Sequence, residues 1–121
     1  MSDATTYLAV FLGSPVNSKM VAWSALTEAE RAERVTAGLA AWHGWVEAHK
    51  SAIVELGGPL GKTKKISNAG IEDVTNALTG FTIVRAASFD AAAEMFVGHP
   101  HFTVFPGDSV EVMPVLPVPG M

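Results

Sequence analysis

The sequence contains no cysteine. That excludes a thiolate nucleophile, a disulfide framework and Cys-based zinc or iron–sulfur centres. Charge is also scarce. Charged residues make up 17% of the chain, against roughly 25% in an average domain. Lys and Arg number 8 against 12 Asp and Glu, for a net charge of -4. Polyanion binders neutralise phosphates with clustered cations, so no nucleic-acid partner is expected. The one basic cluster, Lys62, Lys64 and Lys65, reads as a solvated edge beside a turn. No apolar run approaches the roughly 20 residues a membrane-spanning helix needs, so no membrane partner is expected. The N-terminus has no basic region followed by a long apolar run, which predicts no signal peptide and a cytoplasmic location. No phosphate loop or dinucleotide fingerprint is present, and no serine or threonine stands in a nucleophile-elbow motif.

What is present is apolar. Hydrophobic residues reach 49% of 121, enough for one domain over residues 1–121 with a real core. The shortage of solvated surface points to a buried subunit interface. Tyr7 to Leu12 is a continuous apolar run ending at Gly13 and reads as a strand covered on both faces. Residues 13–18 read as a loop, and residues 20–26 stay ambiguous. Thr27 and Glu30 form a capping box that starts a helix near Glu28. The apolar stripe Val35, Leu39, Trp42, Trp45, Val46, Ile53 and Leu56 carries that helix to Gly57-Gly58, with a kink or break allowed at Gly38. A strand is expected around Lys64 to Ser67 with a turn at residues 68–70, followed by a connecting loop over residues 71–79.

Gly80 to Ala86, β-branched and aromatic, is the clearest strand. Ser88 caps a second helix whose buried stripe is Phe89, Ala92, Ala93 and Phe96, closed by Gly98 and stopped by Pro100. Ser109 to Val115 alternates and reads as the last strand, with an extended tail to Met121. The order β-α-β-β-α-β predicts an α+β, ferredoxin-like domain with an antiparallel sheet and both helices on one face. The other face then needs cover, and a second copy of the chain supplies it at least cost.

Residues 79–92, Thr-Gly-Phe-Thr-Ile-Val-Arg-Ala-Ala-Ser-Phe-Asp-Ala-Ala, resemble the strand-to-helix segment of YCII-related proteins. Gly98-His99-Pro100-His101 follows at the helix end, and residues 107–112 resemble that family's last strand. Trp42, Trp45 and the Gly57-Gly58-Pro59 turn fit as well. The resemblance implies a homodimer in the dimeric α+β barrel superfamily. It also implies a His–Asp pair in some members. The Asp of that pair stands in an Asp-Pro step, where this chain has His99. The nearest histidines to the other position are His43 and His49.

Four histidines carry the candidate chemistry. His49 lies seven residues beyond Trp42, on the apolar stripe. It reads either as a core-edge histidine bonded to a backbone carbonyl or as an acid–base group aimed between helix and sheet. His43 lies at the border of the stripe. His99 and His101 form a His-Pro-His step that reads as capping, pocket lining or a two-ligand metal contact. Trp42 and Trp45 read as core or as the walls of an aromatic pocket. Two functions stand. In the first, favoured by the missing Asp, the protein is a non-catalytic dimer that binds a small apolar or aromatic ligand or acts as an accessory. In the second it is an acid–base enzyme of isomerase, lyase or dehalogenase type. Its catalytic residues are His49, His99 and His43, with Trp42, Trp45 and His101 binding the substrate. Neither reading assigns a metal or a cofactor; a weaker third one places a metal or haem at His99 or His101.

Overall fold

A computed structural model describes residues 5–120. The domain boundaries expected at 1 and 121, and the last residue of the tail, lie outside the described residues. The elements in chain order are β1 (Thr5–Leu12), α1 (Ser18–Ala25), α2 (Glu28–His49), β2 (Ile53–Pro59), β3 (Thr63–Ser67), β4 (Gly70–Val74), β5 (Leu78–Ala86), α3 (Phe89–Glu94), α4 (Pro100–Thr103) and β6 (Ser109–Pro114). Four strands form one sheet in the order β2-β5-β1-β6, and β3 pairs with β4 alone. Every pairing is antiparallel. Without the β3–β4 hairpin, the order is β-α-β-β-α-β with β1 and β5 at the centre. That is the ferredoxin-like arrangement the element order predicts.

The core follows from strand alternation. Tyr7, Ala9 and Phe11 point to one face of β1 and are buried with Val84 of β5, Ala92 and Phe96 of the α3 region, and Trp45 of α2. The crossover helices therefore share that face. Register places Leu8, Val10, Phe81, Ile83 and Met113 on the opposite face. These side chains are half-buried or, for Met113, exposed, and the helix-side core residues Trp45, Ala92 and Phe96 pack on the other face, with Tyr7, Ala9 and Phe11.

Several expectations needed correction. The long helix ends at His49, and Ile53 to Pro59 is a strand. Ile53 pairs with Val84, so the ladder with the central strand outweighs a helical spacing that persisted by coincidence. Gly57 is not a helix cap. It sits in β2 at φ 69°, within the second of two register shifts against β5, between Glu55 and Gly58. A Cβ there would collide with the backbone oxygen of Phe81, so the bulge requires glycine. The helix does not break at Gly38; the missing side chain makes room for the Phe105 ring.

Residues 20–25 belong to α1, whose N-cap is Asn17 and whose C-cap is Leu26. Residues 71–79 hold β4 and the start of β5 rather than a loop. Phe89, expected to be buried, is 51% exposed. Pro100 opens α4 rather than only ending α3, consistent with proline at the first position of a helix. Among the described residues, no helix is long and apolar enough to cross a membrane.

Candidate functional site

Helix α2 presents Trp42, Trp45, Val46 and His49 to the sheet because they recur at three and four residues. Opposite them, β2 bulges twice and carries Gly57 and Gly58, while β5 contributes Gly80. Where the strands lack side chains, helix and sheet stand apart. The result is a cleft of about 500 Å³ between α2 on one side and residues 56–59 and 79–82 on the other. Phe11, Trp42 and Phe105 are aromatic residues of its lining, with Phe81 of β5 beside them. Their rings meet at 5.3 Å for Phe11 with Trp42 and 6.1 Å for Trp42 with Phe105. Among the described residues, no Asp, Glu, Lys or Arg lines it. The hydroxyls of Thr79 and Thr82 donate to the carbonyls of Phe11 and Leu56 at 2.9 and 2.7 Å.

Of the residues singled out from sequence, Trp42, His43 and His101 line this cleft; His49, Trp45 and His99 do not. His43 is exposed at the rim. His101 is buried, and its Nε2–H donates to the carbonyl of Leu12 at 2.8 Å. Burial pushes its pKa down, against the opposing pull of the Leu12 carbonyl and Asp108. Gly107 fits beneath this ring, where a side chain would overlap it.

His99 is fully buried. Its Nδ1 accepts the His101 backbone N–H at 3.0 Å and so caps α4. The neutral ring then carries its proton on Nε2, which has no hydrogen-bond partner among the described residues. Around it stand Trp42 at 4.5 Å, Trp45 at 4.8 Å, Phe11 at 5.1 Å and Phe96 at 5.8 Å, centroid to centroid. Burial, then the charges of His101 and His49, push its pKa down to about 4. His99 is therefore neutral at pH 7. In the His-Pro-His step, backbone groups hold one nitrogen of each ring.

His49 donates from Nδ1 to the carbonyl of Trp45 at 2.8 Å and packs on that indole. Trp45 in turn donates to the carbonyl of Met95 at 2.7 Å, fastening α2 to the end of α3. Phe11, Phe81 and Phe105 are aromatic lining residues that sequence reasoning missed. Phe11 was visible only as part of a strand. Phe105 stands 67 positions from Gly38, and nothing local links them.

No family model and no curated protein matches the chain. Among solved structures it is similar to 5-chloro-2-hydroxyhydroquinone dehydrochlorinase from Burkholderia phenoliruptrix AC1100, solved in complex with 2,5-dihydroxybenzoquinone. The identity is 21% and the TM-score 0.49, covering 89% of this chain and 90% of that one. A likeness of this degree says nothing of this chain's chemistry.

Proposed function

We propose that this chain is a YCII-related, non-catalytic homodimer that binds a small uncharged aromatic or apolar molecule in the cleft between α2 and the β2–β5 edge. The observation that carries this reading is the lining: the Trp42 ring packs on both Phe11 and Phe105, and among the described residues no charged side chain borders the space of about 500 Å³. Such a space suits a flat ligand of about two rings. A ligand charge buried there would lose its water without gaining a partner. His99 favours the non-catalytic reading, because a neutral, buried imidazole stands where the family pattern has an ionisable carboxylate.

Titration of tryptophan fluorescence with 2-naphthol and 2-naphthoate separates the alternatives. The expected result is saturable binding of 2-naphthol, with 2-naphthoate and the Trp42→Ala variant each weaker by about tenfold or more. Equal affinity for both probes, or affinity unaffected by Trp42→Ala, overturns the reading. A second reading, acid–base catalysis, is favoured by one observation: two imidazoles, His43 and His101, line the same cleft. Its test is exchange of the α-protons of 2-tetralone in D2O. Exchange accelerated by the protein and lost in His43→Ala would replace binding by catalysis; no acceleration leaves the binding reading in place.

A further inference from the structure

The β3–β4 hairpin lies outside the cleft, and nothing in the proposed binding uses it. Its strands pair in register from Thr63↔Val74 to Ser67↔Gly70 and, among the described residues, with no other strand. Each strand is five residues, which extends the arm by roughly 16 Å at the usual rise. Among the described residues, its ion pairs, Lys64–Asp73 and Lys65–Glu72, run within the hairpin and are exposed. Exposed pairs contribute little, and a two-stranded hairpin alone in water is marginal. Directly opposed near its tip stand Ile66 and Ile71, 72% and 71% exposed. Two large β-branched side chains in water, on an arm with no support, are the kind of exposed apolar surface that marks an interface.

The same chain offers a surface that fits it. The face of the sheet away from the helices carries Leu8, Val10, Phe81, Ile83 and Met113. Arg85, Glu55 and Glu111 lie on that face by register, supplying charges of both signs beside the apolar patch. On the hairpin, alternation puts Lys64 and Asp73 on the face of Ile66 and Ile71, one charge of each sign behind an apolar tip. The arm does not rest on its own sheet: Ile66 and Ile71 are exposed, and links of three residues each, 60–62 and 75–77, join it to β2 and β5.

We propose that the hairpin is a dimerisation arm. In a two-fold pair, Ile66 and Ile71 of each copy pack on the helix-free sheet face of the other. A two-fold axis satisfies both arms and both faces at once. This inference rests on the reading of the chain as a homodimer and adds which segment makes the contact.

Sedimentation equilibrium of the full chain, compared with the double variant Ile66→Lys, Ile71→Lys, is the test. A wild-type dimer whose dissociation constant rises by about tenfold or more in the variant is expected. A dimer of unchanged affinity in the variant overturns the arm and leaves the homodimer. A wild-type monomer at every concentration overturns both, and leaves the cleft reading to its own titration. Hydrogen exchange on the wild-type chain guards against a misfolded variant. Amides of residues 64–73 are expected to lose protection on dilution in step with dissociation; protection independent of concentration overturns the arm.

Discussion

His99 decides much at the scale of one residue. A histidine beside proline at a helix end is ordinarily a solvated cap. Here the cap is made, by Nδ1 to the His101 amide, but the ring is enclosed by four aromatic side chains. Its pKa falls from the ordinary 6.5 to about 4. The unfolded chain therefore takes up the proton first as pH falls. The stability that neutral His99 contributes is complete above pH 6.5 and is lost between 6.5 and 4. Unfolding in urea is expected to show a loss of about 2 kcal/mol from pH 7 to pH 5, with His101 acting in the same direction. The His99→Leu variant removes most of that slope; a slope identical to wild type would show that His99 is not its source. The sequence marked His99 and His101 as residues of interest. It could not tell which would be enclosed, because the enclosing rings come from β1, α2 and the end of α3.

At the scale of elements, local signals were read well and competition between elements was not. The capping box at Thr27 and Glu30 is made as expected, with bonds of 2.8 and 3.1 Å. Thr27→Ala is expected to cost about 1 kcal/mol. Naphthol binding should not change, because Trp42 lies four turns down the helix; thermal unfolding alongside the fluorescence titration checks both. The Ser88 cap of α3 and the strands β1, β5 and β6 were equally legible, since each rests on neighbouring residues. The end of α2 was not. Ile53 and Leu56 continue a helical spacing, yet they join β2 because β5 offers it a ladder partner, from Ile53↔Val84 to Pro59↔Gly80. The glycines read as a helix stop are instead the bulge that opens the cleft. Helix α1 was missed because its Asn17 cap precedes only eight helical residues with no buried side chain.

At the scale of the whole molecule, the sheet has two unlike faces. One is closed by α2 and α3. The other holds Val10 between Phe81 and Glu111. In the proposed dimer this second face is the contact. Val10→Lys is accordingly expected to leave the fold and the cleft intact while weakening the dimer. Light scattering should show a shift towards monomer with an unchanged circular-dichroism spectrum; a retained dimer places the contact elsewhere.

The sequence by itself determined the class of fold, the order of its elements, the capped starts of two helices and the absence of cysteine chemistry. These depend on composition and on spacings within a dozen residues, where periodicity and capping act. Only the tertiary structure decided where α2 stops, that His99 is sealed while His43 stays open, and that Phe11, Trp42 and Phe105 meet around one cleft. Those outcomes depend on contacts between residues far apart in the chain. Packing chooses among local possibilities that are nearly equal in free energy.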